Sequence, residues 1–501
     1  MNSELFLLSP IIWITAVALV GITLDAINEK NTRLGYTIAL LGLIGAGILS
    51  ALTLTTPTAE INAMYTDTAA LLTHGTVSFG GIGAYFDILF CIAAIFTVVA
   101  SKNYLALEQK ETTEYYNLIL FAVAGMMIIS HSQHLLTLFI GIETMSITFY
   151  ILAGYFRHTP KSVEASLKYF LLGAFSTGFL LYGMAMLYGA TGSMYLRQGP
   201  EGLDIASAIM AGDISNYYFL AIGVGMMIVG LAFKVAAFPF HQWAPDVYTG
   251  SPTVVSAFMS TAGKGAALLS FIIVAYSVLP ISGAAEALAN SESAKVVIAT
   301  LSALTMLAGN ITALIQKNVK RMLAFSSVAH AGYLLMGIVA NSTAGWNGIV
   351  YYITAYTFMQ IGAFIVVALL ERDTDRNQEI TDYAGLYKTN PMMAFAMGLF
   401  MFSLAGIPPF AGFFGKYYLF TAAIDAGYTW LTIVAVISSI ISMYFYIGLV
   451  LQMYFKDPTG EEVTALSGGG RTVVYISALA ILILGFMPML ITDIISSIGK
   501  L

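Results

Sequence analysis

Fourteen largely apolar runs, most of them near twenty residues long, follow one another along this chain between short polar breaks. They lie at 5–24, 34–55, 82–101, 116–131, 134–156, 165–190, 216–239, 252–279, 295–315, 321–340, 345–370, 391–424, 428–455 and 471–496. A helix needs about 20 such residues to cross a bilayer. The chain therefore reads as an all-α integral membrane protein of about fourteen transmembrane helices. Composition agrees: 58% of residues are hydrophobic and only 10% are charged, against about 25% charged in soluble domains. The first run has no basic segment before it, so it is expected to span rather than to be cleaved. The fourth run is short, and the twelfth is interrupted at Pro408-Pro409.

Basic residues are distributed unevenly among the connections. When the loops are numbered by order, the odd ones hold fourteen Lys and Arg, among them Lys30, Lys102, Lys320, Arg372, Arg376 and Lys388. The even loops and the tails hold three: Arg197, Lys295 and Lys500. The positive-inside rule predicts odd loops in the cytoplasm and both termini outside. Four lysines remain, and all fall inside apolar runs: Lys168, Lys234, Lys264 and Lys416. Glu143 lies inside another. A lysine at the bilayer centre costs at least ~2.5–3.5 kcal/mol, so these side chains are expected to face the bundle interior. Burial favours the neutral amine, which then exchanges protons more readily than an exposed lysine does. Glu143 is the expected partner of Lys168 on the following helix, a pair whose breakage would change the field on the next lysine. The competing reading is a structural ion pair, or lysines that snorkel to the interface.

Two runs are broken. The seventh carries Lys234 and then Pro239; the twelfth carries Ala405-Gly406-Ile407-Pro408-Pro409 and then Lys416. Proline opens the helical ladder, which is tolerated in a membrane where the freed groups line a cavity or meet water. Broken helices at corresponding positions of two halves point to an ion pathway. Laying Glu143 on His330 brings Lys234 near Lys416, so runs 4–8 and 9–13 read as two five-helix repeats. The expected divisions are 1–110, 111–280, 281–457 and 458–501, the last holding the fourteenth helix. His330 is a candidate proton carrier or, equally, a hydrogen-bonded core histidine; His241, beside the first break, is a weaker candidate. Asp87 reads as an interfacial or helix-start charge.

Other chemistry finds little support. One cysteine, Cys91, excludes an intrachain disulfide and a cysteine-ligated iron–sulfur cluster. The six histidines are scattered, and no strand–glycine loop–helix unit for a nucleotide is present. Gly468-Gly469-Gly470 reads as a flexible turn before the last helix.

Three stretches, FKVAAFPFHQWAPDVYTGSPTVVSAF, QKNVKRMLAFSSVAHAGYLLMG and LAGIPPFAGFFGKYYLF, resemble the antiporter-like membrane subunits of proton-pumping NADH:quinone oxidoreductase, respiratory complex I. The resemblance runs from about residue 80 to 460. It is nearest to the N-type subunits, through PDVYTGSP after the seventh run and lysine at Lys416. It implies two inverted five-helix repeats, each giving a half-channel joined to a polar axis. Glu143 and Lys168 then match the coupling pair, Lys234 the central lysine, Lys264 the connecting lysine and Lys416 the terminal one. It also implies no cofactor in this chain: partner subunits would carry FMN and iron–sulfur clusters, and quinone would bind elsewhere. The expected partners are other membrane-arm subunits and the lipid of a bacterial inner membrane, with no nucleic acid. The alternatives are a subunit of a multi-subunit cation/proton antiporter and a purely structural membrane-arm subunit. Residues 1–80 carry no usable motif.

Overall fold

A computed structural model describes residues 3–27, 32–54, 56, 73, 75–197, 199, 202–279, 285–371, 378–458 and 468–498. Lys30, His74, Arg372, Arg376, Lys500 and most of the 56–82 loop lie outside the described residues. The described chain is helical, with three isolated β-bridges and no strand among its described residues.

Besides the short helices Ser3–Leu7, Ile205–Ala211 and Leu386–Thr389, the helices in chain order begin with α1 (Ser9–Ile27), α2 (Thr32–Leu54), α3 (Gly81–Leu107), α4 (Thr113–Ser130), α5 (Leu135–Ala153) and α6 (Pro160–Thr191). They continue with α7 (Tyr217–Lys234), α8 (Trp243–Gly250), α9 (Thr253–Val278), α10 (Ala285–Leu314), α11 (Val319–Ala340) and α12 (Thr343–Leu370). The last are α13 (Pro391–Ala405), α14 (Ala411–Asp425), α15 (Thr429–Phe455), α16 (Gly469–Phe486) and α17 (Met489–Ile498). Thirteen of these are long and apolar enough to cross a membrane. The twelfth run supplies a further crossing as two fifteen-residue halves, α13 and α14. About fourteen crossings result.

Local chemistry sets the ends. Pro160 opens α6, where a missing N–H costs nothing, and Gly192 closes it at φ 71°. Side chains of Asn216 and Ser342 accept the free N–H groups at the starts of α7 and α12. The fourteenth run divides into α16 and the short α17, with Pro488 between them. The glycine turn before it is smaller than expected: Gly468 stands outside α16, at φ 114°, while Gly469 and Gly470 belong to the helix.

Helices α9 and α11 are buried along nearly their whole length, with Tyr276 and Arg321 half-buried, and α12 is nearly as covered. They form the centre. Around them, α1, α2, α6 and α15 present apolar side chains outward, such as Leu171 and Phe175 on α6 and Ile433 and Ile440 on α15. In lipid those faces need no polar cover.

Candidate functional site

The first break follows Lys234, the last residue of α7. Residues 235–239 leave the helix, with Ala236 at φ 60°, a backbone region costly for a residue with a Cβ. The freed groups find side chains: Trp243 Nε1 donates to Phe233 O at 3.0 Å, and Phe238 N donates to Thr305 Oγ1 at 2.9 Å. Lys234 is 7% exposed, and its ammonium reaches Ser146 Oγ at 2.9 Å and Glu143 Oε1 at 3.4 Å, both on α5. Glu143 also accepts from Thr177 Oγ1 on α6 at 2.8 Å.

Glu143 therefore pairs with Lys234, and the expected Glu143–Lys168 pair is not formed. The cause is height along α6. Thr177, level with Glu143, stands nine residues beyond Lys168, or ~13 Å at 1.5 Å per residue. Lys168 instead bonds Glu164 at 2.6 Å and Asp246 of α8 at 2.8 Å, and Asp246 also takes Arg321 at 2.8 Å. The Lys168 side chain is 41% exposed, so it does not face the bundle interior. His241 sits in the 3-10 turn Phe240–Gln242, stacked on Phe238 with ring centroids 5.6 Å apart.

Lys264 follows a π-helical turn, Met259–Gly263, inside α9, a wider winding common at functional positions. Its ammonium donates to Ser327 O at 2.6 Å and Ser327 Oγ at 2.8 Å on α11. One turn further along α11 comes His330, then Tyr333. The His330 ring meets the Tyr352 hydroxyl at 2.5 Å and that of Tyr446 at 3.1 Å, and Tyr446 bonds Ser326 in turn. His330 is within electrostatic reach of both Lys264 and Lys416. It is hydrogen-bonded in the core, and it stands between two candidate proton carriers.

The second break separates α13 from α14. Gly406, at φ 85°, closes α13, and Lys416 reaches back across the gap from α14. Its ammonium donates to Leu404 O at 3.1 Å, Ala405 O at 3.0 Å and Ser439 Oγ at 2.9 Å, and lies 4.9 Å from the Tyr333 ring centre. Lys234 precedes its break and Lys416 follows its own: Lys234 is the last residue of α7, and the Lys416 ammonium sits on carbonyls at the C-terminal end of α13. That end carries partial negative charge. Lys264 and Lys416 are 3% and 4% exposed, and their hydrogen-bond partners are hydroxyls and carbonyls. The amines of Lys264 and Lys416 and the imidazole of His330 are thus gathered around α11, whereas the bonds of Lys234 run to α5.

Sequence reasoning misread Asp87. It is fully buried in α3, where its carboxylate accepts from Ser130 Oγ at 2.6 Å and meets His131 Nε2 at 2.9 Å. The other ring nitrogen of His131 faces Ser78 O at 2.9 Å. Two acceptors on one imidazole favour the doubly protonated ring. Burial alone would lower the pKa of His131, but Asp87 and Ser78 outweigh it and the net shift is upward. Asp246, the link between Lys168 and Arg321, was also missed. Among the described residues no group of three or more His, Cys, Asp or Glu could hold a metal ion.

Residues 132–442 match the family described as NADH:quinone oxidoreductase/Mrp antiporter, TM. A relative from Chloroherpeton thalassium, NADH-quinone oxidoreductase subunit N 1, is 40% identical over 484 residues, 97% of this chain and 96% of its own length. Subunit N of Trichlorobacter lovleyi is 40% identical over 506 residues, covering 100% of this chain and 97% of that protein. Among solved structures, a chain of respiratory complex I from Thermus thermophilus with bound aureothin superposes with a TM-score of 0.80 at 31% identity, over 98% of this chain and 100% of that one. A chain of the Mrp complex from Dietzia sp. reaches the same TM-score at 21% identity, over 99% of this chain and 97% of that one, a likeness of fold.

Proposed function

Since the chain belongs to the NADH-quinone oxidoreductase subunit N family, within the NADH:quinone oxidoreductase/Mrp antiporter membrane proteins, we propose that it moves protons along the Lys234, Lys264 and Lys416 amines. As an antiporter-like membrane-arm subunit of complex I, it does so while other subunits oxidise NADH and reduce quinone. FMN, iron–sulfur clusters and the quinone site belong to those subunits, and this chain carries no redox centre.

The observation that carries the reading is the burial of three lysines, none more than 7% exposed, two of them bonded to hydroxyls and carbonyls. A fixed charge in such a position is costly, whereas a lysine that gains and loses its proton resides there only transiently charged. Glu143 is the element that biases the first of them. When its carboxylate is close, the Lys234 ammonium is favoured; when the pair opens, Lys234 gives up its proton toward Lys264. His330 and the hydroxyls of Tyr352 and Tyr446 lie between Lys264 and Lys416, which discharges to the opposite side. Lys168 and Asp246 form a charged group at the exposed face of α6, suited to sensing a neighbouring subunit, and His241 lines the first break in a lesser role.

Residues 111–280 and 281–457 are read as the two inverted repeats, each with one broken helix and one lysine at its negative half-helix end. The odd loops are assigned to the cytoplasm of a bacterial cell and both termini to the outside of its inner membrane. Replacing Lys234 with alanine in the assembled complex tests the reading. NADH-driven proton pumping into inverted vesicles is expected to fall sharply, and undiminished pumping would reject the role.

A further inference from the structure

The face bearing the odd loops holds a second group of buried ionisable side chains, apart from the lysine line. Glu371, directly after α12, is 5% exposed. Its Oε2 accepts from Thr253 Oγ1 at 2.5 Å and from the Tyr104 hydroxyl at 3.3 Å, and its Oε1 accepts from Gln378 Nε2 at 2.6 Å. Lys320, at the start of α11, is 2% exposed, donates to Ser251 O at 2.6 Å and lies within electrostatic reach of Glu371. Tyr104 from α3, with Glu108 near it, and Tyr383 from the Ile380–Tyr383 turn complete the ionisable surroundings. Burial raises the carboxyl pKa; Lys320 and the three hydrogen bonds offset this only in part, so the group remains above the ordinary carboxylate range. Gln378 accepts in turn from Asn318 Nδ2 at 3.0 Å, a half-buried residue beside exposed Lys317, which leads the cluster outward.

Inward, the cluster meets the start of α9. Thr253 is followed by the buried hydroxyls of Ser256 and Ser260 at intervals of three and four residues, and four residues later by Lys264. Ser256 Oγ donates to Tyr248 O and Ser260 Oγ to Ala257 O, so each hydroxyl oxygen keeps accepting capacity. From Thr253 to Lys264 the helix climbs ~16 Å at 1.5 Å per residue. That is about half of a 30 Å hydrocarbon core.

We propose that Glu371 is a second entry to the line, besides Lys234: it takes up protons from the odd-loop side and passes them to the Lys264 amine along the Thr253, Ser256 and Ser260 hydroxyls. The proposal rests on the function assigned above. Uptake forms one O–H bond on the Glu371 carboxylate; delivery breaks it and forms one N–H bond on neutral Lys264, and the carboxylate is restored. Lys320 compensates the carboxylate in the interval between delivery and the next uptake.

The test is the number of protons pumped per NADH oxidised, measured against external pH in inverted vesicles holding the assembled complex. Glu371→Gln keeps hydrogen bonding but cannot accept a proton, and Thr253→Val keeps the charges but removes the first hydroxyl. Both are expected to lower the ratio, while Glu371→Asp retains pumping with a displaced alkaline limb. A wild-type ratio and pH profile in Glu371→Gln or Thr253→Val would overturn the proposal. Should Glu371→Gln fail to assemble, Thr253→Val decides, because a purely structural Glu371–Lys320 pair would leave its pumping unchanged. Lys234→Ala, assayed alongside, separates the two claims: normal pumping there removes the proposed function itself, whereas loss there beside normal Thr253→Val removes only the loading role.

Discussion

His131 holds one of the few titrating groups whose effect on stability has a definite sign. Its ring is buried between the Asp87 carboxylate and the Ser78 carbonyl, and its pKa in the fold is raised above the ordinary histidine value. A group of this kind stabilises fully below its unfolded pKa of about 6.5, and its contribution is lost as pH rises through the folded value. The described protein should therefore unfold at lower temperature as pH rises above neutral. Asp87→Asn should abolish that dependence, and should cost ~3–5 kcal/mol at low pH, as expected when one partner of a buried pair is removed. Thermal unfolding of the detergent-solubilised protein between pH 6 and 9, for wild type and variant, checks both. An unchanged alkaline slope in Asp87→Asn would mean that His131 is not the responsible group.

At the scale of elements, the second break depends on close backbone approach. A Cβ on Gly412 would meet Ser403 O at 1.9 Å, a backbone atom that cannot swing aside, whereas one on Gly448 of α15 would meet nothing within 4 Å. Gly412→Ala should push α14 from α13, draw Lys416 off its carbonyls and lower both complex assembly and pumping. Overpacking of this kind costs ~1–3 kcal/mol. Gly448→Ala should behave as wild type, and native gels with pumping assays distinguish the two. The breaks were legible in the sequence because proline inside an apolar run is conspicuous, and so were Lys234, Lys264 and Lys416. The partnership of Glu143 was not, since sequence shows which helices are neighbours but not how high each residue stands along them. Asp87 and Glu371 were hidden for another reason: acidic residues near the ends of apolar runs look like ordinary interfacial charges, and only packing reveals that these are covered.

The whole molecule is a buried core of α9, α11 and α12 sheathed by helices with lipid-compatible faces. Its assigned orientation has a direct consequence. Cys91 is the chain's single cysteine and is buried, so introduced thiols can be labelled individually. Lys388→Cys, on an exposed odd loop, should react with an impermeant reagent only from the cytoplasmic side, and Asp425→Cys, at the exposed end of α14 beside an even loop, only from the other. The reverse pattern would invert the whole pathway. Finally, the carbonyls of Leu404 and Ala405 with the Ser439 hydroxyl form a small oxygen-lined seat of the sort that can coordinate an alkali cation. Lys416 occupies it with a nitrogen on a tether. A shortened side chain there would leave two helix-end carbonyls and a hydroxyl without their donor inside the bundle, a cost of about 1–3 kcal/mol for each group left unmet.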